Sequence, residues 1–302
     1  MKILILGSEG FIGKHLVEYF LIRGIKVYGC DLFETASDRN YYYYKVSRLS
    51  PEWDEIFSGE VFDICINAAG SGNVPYSMQH PIHDFEANSL DAIRILDAIR
   101  KYTPACKYLH ISSAAVYGNP QSLPVKESMQ LHPLSPYGWH KYISELICRE
   151  YHELYGIQVT MIRPFSVYGN GLRKQLIWDL CKKMQDQEVI TLFGTGRESR
   201  DFIHINDLCF LIDRVLDKGE FKADIYNAGN GIQVYIETVA ALVNQHFDSN
   251  KSIQFNGESR KGDPLNWEAD ISKVKKLGYQ PSVSLENGIK EYVSYFKGLG
   301  LK

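Results

Sequence analysis

Short apolar runs alternating with stretches of helical periodicity govern the first half of the chain. Lys2-Ile3-Leu4-Ile5-Leu6 is an unbroken apolar run ending at a glycine, the pattern of a strand buried on both faces of a parallel sheet. Residues 14–20 follow with helical spacing. Ile25-Lys26-Val27-Tyr28-Gly29-Cys30 reads as a second strand, and the tyrosines at 41–44 as an edge strand with aromatic faces. A fourth strand lies within residues 61–70 and emerges at the small residues Asn67-Ala68-Ala69-Gly70. A helix beginning near Asp84 carries Phe85, Asn88, Ile93, Leu96 and Ile99 at amphipathic spacing. The fifth strand is Tyr108-Leu109-His110, a helix covers about 136–155, and Val159-Thr160-Met161-Ile162-Arg163 is the sixth strand. Such alternation predicts an α/β fold: a doubly wound parallel sheet with helices on both faces.

After Pro164 the pattern loosens into glycines, polar loops and the charged run at 194–201, which predicts a smaller mixed α/β domain over the carboxyl edge of the sheet. Residues 205–216 have helical spacing and return to the first domain. The expected division is 1–164 plus about 202–228, and about 165–201 plus 229–302.

The junction after the first strand carries the first chemistry. In Gly7-Ser8-Glu9-Gly10-Phe11-Ile12-Gly13, Gly7 permits a tight turn, Gly10 lets the backbone approach a pyrophosphate, and Gly13 allows close helix–strand packing. The phosphates are expected at the helix N-terminus, where free N–H groups and the dipole favour negative charge. Asp31 ends the second strand, at the right remove to bond a ribose diol and to repel a 2′-phosphate. The loop therefore reads as a Rossmann-type site for NAD. Arg39, in the next loop, is the one nearby residue that weakens the preference over NADP.

A second constellation lies further on. Tyr137 and Lys141 are one helical turn apart and share a helix face. The ammonium is expected to favour the phenolate and lower the tyrosine's pKa, fitting it to move an alcohol proton during hydride transfer. Ser113, beyond the fifth strand, stands where doubly wound sheets place ligand contacts and could hold the reacting oxygen beside Tyr137.

Composition narrows the class. The chain has 302 residues, a net charge of −3 and 45% hydrophobic residues, which fits a folded domain with ample core and excludes a basic nucleic-acid binder. The six cysteines are scattered without a C-x-x-C pair, and several fall in apolar runs. They read as buried thiols of a reducing compartment rather than disulfides or metal ligands. No apolar run is long enough to span a bilayer and nothing resembles a signal peptide, so the expectation is a soluble cytoplasmic protein without nucleic-acid or membrane partners.

With these residues assembled, the chain resembles the extended short-chain dehydrogenase/reductase family, specifically its nucleotide-sugar epimerases and dehydratases. The resemblance spans nearly the whole chain. It rests on the Gly7/Gly10/Gly13 loop, Asp31, Asn67-Ala68-Ala69, Val74-x-x-Ser77-x-x-x-Pro81 leading to Asn88, and Ser113-x-x-Val116-Tyr117-Gly118. It continues through Tyr137-x-x-x-Lys141, Arg163-Pro164-Phe165-Ser166-Val167-Tyr168-Gly169, Arg200-Asp201-Phe202-Ile203-His204, Arg260-x-Gly262-Asp263 and Leu277-Gly278-Tyr279-Gln280-Pro281.

The resemblance implies Tyr137 as acid/base, Lys141 on the nicotinamide ribose, and Ser113 on the reacting oxygen. Gly7, Gly10, Phe11, Ile12, Gly13, Asp31, Ala68, Ala69, Asn88, Pro164 and Val167 would line the cofactor site. Arg200 and Arg260 would clamp the sugar nucleotide's diphosphate, as guanidinium forks suit phosphate oxygens, and Ser166 would contact the nucleotide. A homodimer through a four-helix bundle is also implied.

Two departures narrow the reaction. Ser166 replaces an asparagine common in relatives. Ala114-Ala115 stands where the 4,6-dehydratases carry an acid pair, and alanine can neither protonate a leaving hydroxyl nor take a C5 proton. The missing glutamate also argues against the UDP-glucuronate decarboxylases, and Ala114 against 3,5-epimerase/reductases, which have cysteine there. The remaining expectation is an NAD-dependent 4-epimerase of UDP-hexoses. An NAD(P)H-dependent reductase of an NDP-4-keto-6-deoxy sugar is the alternative, with a non-catalytic NAD(H)-binding regulator as a third reading.

Overall fold

In a computed structural model, which describes residues 1–38, 40–47, 52–247, 251–258, 262 and 264–301, the N-terminal apolar run forms β1 (Lys2–Leu6). The chain continues through α1 (Phe11–Ile22), β2 (Lys26–Asp31), β3 (Tyr42–Lys45), α2 (Trp53–Gly59), β4 (Ile64–Asn67), α3 (Val74–Gln79) and α4 (Pro81–Phe85). Next come α5 (Asp91–Tyr102), β5 (Lys107–Ile111), α6 (Pro136–Tyr155) and β6 (Val159–Pro164). Seven strands, the last being β11 (Lys222–Ala228), form one parallel sheet in the order β11-β6-β5-β4-β1-β2-β3. This is the doubly wound arrangement that the alternation predicted.

Why β1 is apolar throughout follows from its two neighbours. Ile3 and Ile5 point to one face, where they meet Leu16, Val17 and Phe20 of α1 and Leu208, Leu211 and Ile212 of the helix at Ile205–Lys218. Leu4 and Leu6 point to the other, against Ile95, Leu96 and Ile99 of α5 and Cys148 of α6. Strands covered on both sides have no solvent face for polar residues. All six cysteines are buried free thiols.

The strand order reverses between β1 and β4, so their carboxyl ends diverge and leave a crevice there, the usual ligand position in such sheets. The edge strand β3 is built as expected, with Tyr42 stacked on Tyr28 at 4.7 Å.

The remaining elements are β7 (Ser166–Tyr168), α7 (Gln175–Asp186), β8 (Val189–Leu192), β9 (Ser199–Arg200), β10 (Phe202–His204) and α8 (Ile205–Lys218). After β11 come β12 (Val234–Tyr235), α9 (Ile236–His246), β13 (Ser252–Phe255), α10 (Ser272–Lys275) and α11 (Leu285–Gly298). Strands β7 and β10 pair in parallel, as do β8 and β13, whereas β9 and β12 are antiparallel. Helices α7, α9 and α11 close over a core of their own that includes Leu180, Met184, Val243, Ile289 and Phe296. Trp267, Ile271, Val274 and Tyr279 instead join the core beneath the large sheet.

One helix differs from its expected form. Instead of running evenly from Asp84, the chain passes from α4 into a π-helical turn at Glu86–Leu90 before α5 begins. The extra residue in that turn is invisible to a 3.6-residue hydrophobic count.

Candidate active site

The glycine loop folds as its spacing requires. Gly7 adopts φ +77°, and its N–H and that of Ser8 both donate to the Cys30 carbonyl at 2.9 and 3.1 Å. A Cβ on Gly7 would stand 2.8 Å from the Ala69 backbone, and one on Gly13 only 2.0 Å from the Gly7 carbonyl oxygen. These glycines let α1 and the end of β4 press against the loop. Helix α1 has no side-chain cap among the described residues and no acidic residue in its first turn, so its leading N–H groups remain for an anion. Phe11 and Ile12 sit half-buried in that turn.

Asp31 receives the Glu9 N–H at 2.9 Å and the Leu32 N–H at 2.7 Å, which fixes the carboxylate beside the loop. Ala68 and Ala69 follow β4 directly across the crevice, with the Ala69 N–H held by Asn67 Oδ1 at 3.1 Å. The donor set and the open helix end fit a dinucleotide diphosphate and an adenosine ribose. Gly13→Ala is therefore expected to weaken NAD binding by at least about tenfold and to lower thermal stability, because α1 must move off the loop. Cofactor fluorescence titration and a melting curve check both.

The second constellation gathers at the end of β5. Ser113 caps the short turn after this strand, its Oγ accepting from the Ala115 N–H at 3.1 Å, and it lies close enough to the Tyr137 hydroxyl to favour the phenolate. Helix α6 carries Tyr137 and Lys141. Its start is fixed by Ser135, whose side chain accepts from the Gly138 N–H, with Pro136 at the first position; its end is fixed by Gly156 at φ +69°. The Tyr137 N–H donates to Ser77 Oγ at 3.2 Å, which ties the helix start to α3.

The expected tuning of Tyr137 by Lys141 is not what the structure shows. Lys141 Nζ donates to the Ile111 carbonyl at 2.9 Å, within the end of β5. Burial pushes the Tyr137 phenol up to about 12; the neighbouring Ser113 hydroxyl offsets part of this, while the buried Asp84 carboxylate adds to it. Burial also brings Lys141 down to about 8, against an upward pull led by Asp84. Taking both groups out of water outweighs the i, i+4 proximity on which the expectation rested. Asp84 itself lies under the helix, its Oδ2 2.6 Å from His140 Nδ1.

Asn88 occupies the π turn. Its Nδ2 donates to the carbonyls of Asp84 at 3.0 Å and Ser71 at 3.2 Å. Its Oδ1 is buried with no partner among the described residues, an acceptor available to a ligand. Pro164 ends β6, and Ser166 and Val167 follow half-buried in β7, where the Ser166 N–H donates to the Asp201 carbonyl at 2.9 Å.

Behind the site, Arg163 of β6 grips Glu145 of α6 with two bonds of 2.9 and 2.7 Å. Glu145 Oε1 also accepts from Ser112 Oγ at 2.5 Å, and Arg163 Nη1 donates to the Tyr117 hydroxyl at 2.8 Å. Burial opposes the Arg163 charge, but the Glu145 contacts hold its pKa above the usual arginine value.

Arg200 stands on β9 in a different sheet, donating to the carbonyls of Ser199 at 2.8 Å and Leu265 at 3.3 Å over the Trp267 ring. The adjacent Asp201 does not serve as its counter-ion. Its carboxylate accepts backbone N–H groups from Asn230, Gly231, Ile232 and Ala269, while burial raises it to about 6. Arg260 and Arg39 lie outside the described residues.

Two positions passed over in the sequence border the site. A Cβ on Gly72 would come 3.9 Å from Tyr137 Oη and 3.8 Å from Lys174 Nζ. The only sequence signal was the polar trio Arg173-Lys174-Gln175 ahead of an amphipathic helix.

The sequence pattern of the NAD dependent epimerase/dehydratase family matches residues 3–229. The chain belongs to this family. Among its relatives, a putative UDP-glucose 4-epimerase of Methanocaldococcus jannaschii is 31% identical over 98% of both chains. The UDP-glucose 4-epimerase of Thermotoga maritima, solved with UDP-glucose, is 28% identical and superposes with a TM-score of 0.91 over the full length of both chains. The UDP-glucuronic acid 4-epimerase of Bacillus cereus, solved with UDP-glucuronic acid and NAD, is 27% identical with a TM-score of 0.90, covering 99% of this chain and all of that one. As a member of the epimerase family the protein is an NAD-dependent enzyme, and among the described residues no helix is long and apolar enough to cross a membrane.

Proposed function

We propose that this enzyme is a 4-epimerase of UDP-hexoses. The observation that carries the reading is the convergence of Ser113, at the end of β5, and Tyr137, with Lys141 one turn further along α6 and tied to the same strand end. Bound NAD supplies a reversible hydride acceptor. Tyr137 takes the C4 hydroxyl proton and later returns it, Ser113 holds the same oxygen, and Lys141 positions the nicotinamide ribose from its perch on Ile111. Ala114 and Ala115, which follow Ser113, offer no proton donor or base, so chemistry stays on one carbinol carbon. The 4-keto sugar turns over in the site and is reduced on its opposite face.

Gly7, Gly10, Phe11, Ile12, Gly13, Asp31, Ala68, Ala69, Asn88, Pro164 and Val167 line the cofactor site in this reading, and Ser166, Arg200 and Arg260 the sugar nucleotide. Residues 1–164 with about 202–228 form the NAD-binding domain, and the rest the substrate domain. The exposed Ile82, Phe85, Trp139 and Leu146 of α4 and α6 support a homodimer through these helices, and the buried thiols support a cytoplasmic setting.

Anaerobic incubation with UDP-glucose or UDP-galactose, followed by chromatography and absorbance at the NADH band, tests the reaction. Interconversion without net change in NADH is the expected result. Stoichiometric NADH oxidation with an NDP-4-keto-6-deoxy sugar, and no interconversion, would replace the epimerase by the reductase.

A further inference from the structure

Glu9 is an acid placed inside a loop built to receive phosphates. Its backbone and its side chain face different neighbours. The Glu9 N–H donates to Asp31 Oδ2 at 2.9 Å. The side chain, only 6% exposed, turns toward the entrance of β3: Oε1 accepts from the Tyr41 hydroxyl at 2.5 Å, and Oε2 lies 3.2 Å from Lys14 Nζ. The same hydroxyl reaches Ser8 Oγ at 3.3 Å. Gly29 of β2 makes this meeting possible, since a Cβ there would stand 2.6 Å from both Ser8 and the Tyr41 ring. Burial works against the Glu9 charge, but Tyr41, Ser37 and Lys14 outweigh it and hold the carboxyl below its ordinary range. The fold therefore fixes an anion beside Asp31.

Its place bears on the cofactor. Each Asp31 oxygen accepts one backbone donor, the Glu9 or the Leu32 N–H, and the remaining lone pairs suit the two hydroxyls of a ribose. In NADP one of those hydroxyls is replaced by a phosphate, with about two negative charges and no proton to donate to Asp31. Asp31 alone repels it. Glu9 adds a second carboxylate one hydrogen bond away, and fills the space between the glycine loop and Tyr41 into which a phosphate would turn to escape the first. It also engages Lys14, a cation suited to answer a phosphate.

We propose that Glu9 is a specificity-determining residue that excludes a 2′-phosphate from the adenosine ribose, so that two carboxylates rather than one discriminate NAD from NADP. This rests on the proposed cofactor site, with the ribose on Asp31, and is independent of the reaction on the sugar. The diphosphate is common to both cofactors and cancels in a comparison between them.

Displacement of bound NADH from the full-length enzyme by NAD or by NADP, followed by NADH fluorescence, tests this in the wild type, Glu9→Gln, Lys14→Met and Asp31→Asn. In the wild type NAD is expected to displace NADH at least about a hundredfold more effectively than NADP. Glu9→Gln, which keeps the size and loses the charge, narrows that margin by about tenfold or more and moves NAD itself by less than about twofold. Lys14→Met widens the margin, because it strips Glu9 of a compensating charge; Lys14 is half exposed, so the fold is kept. Equal displacement by the two cofactors in the wild type, or a margin unchanged in Glu9→Gln, overturns the proposal. An equal loss of NAD and NADP in Glu9→Gln makes the residue a prop of the loop and overturns it too. Should Glu9→Gln not fold, a margin that fails to widen in Lys14→Met overturns it instead. If Asp31→Asn weakens NAD while Glu9→Gln changes nothing, the cofactor site stands and this proposal falls; if Asp31→Asn leaves NAD displacement as in the wild type, the ribose is not on Asp31 and both fall.

Discussion

Replacing Tyr137 by phenylalanine lowers kcat/KM by about 10²–10⁴-fold, the usual worth of a positioned acid/base, while NAD affinity and fold persist. The ring keeps its volume beside Ser113, and only the proton-carrying oxygen is lost. Direction with pH separates this from a packing defect. The phenol, lifted to about 12 by burial, ionises further as pH rises, so oxidation of the alcohol by the wild type quickens from neutral toward alkaline pH. Tyr137→Phe has no such group and its residual rate follows no such rise. Initial rates over a pH series, with circular dichroism as the folding control, decide it. A phenylalanine variant that retains wild-type turnover at neutral pH would remove Tyr137 from the reaction.

The comparison of Tyr137 with the glycine loop shows what kind of information a sequence carries. Gly7 and Gly13 answer local demands, a positive φ and a 2.0 Å approach to the Gly7 carbonyl, and only one residue type meets them. Spacing alone therefore identifies the loop. The same holds for α6, whose Ser135, Pro136 and Gly156 mark both ends. Asp31 was legible because β2 is short and parallel, which fixes where its carboxylate emerges.

The environment of Tyr137 was a different matter. The i, i+4 rule predicts that Lys141 is near; it does not tell that Lys141 Nζ is committed to Ile111, which a distant strand delivers. Nor does it tell that both groups are enclosed, and the sign of a pKa shift follows enclosure as much as proximity. The π turn at Asn88 and the approach of Lys174 to Gly72 were hidden for the same reason: each is set by how separate elements dock, which no local pattern encodes.

Docking is also where the second large effect is expected. Glu145→Ala destabilises the enzyme by about 3–5 kcal/mol, because it leaves the Arg163 guanidinium buried without its counter-charge. In a chain of this size that corresponds to a fall in melting temperature on the order of 10 °C. Activity falls as well, since Glu145 holds Ser112, next to Ser113, and joins α6 to β6. The paired variant Glu145→Leu/Arg163→Met separates two accounts of the loss. If the penalty is the stranded cation, removing both charges restores most of the stability, as apolar replacements of buried pairs often do. If the two bonds themselves hold the helix in place, the double variant stays as unstable as Glu145→Ala. Thermal denaturation of all three proteins, with turnover measured alongside, distinguishes a site held up by charge compensation from one held up by contact. Recovery of stability without recovery of rate would show that the pair's contribution to catalysis is its aim at Ser112 rather than its strength.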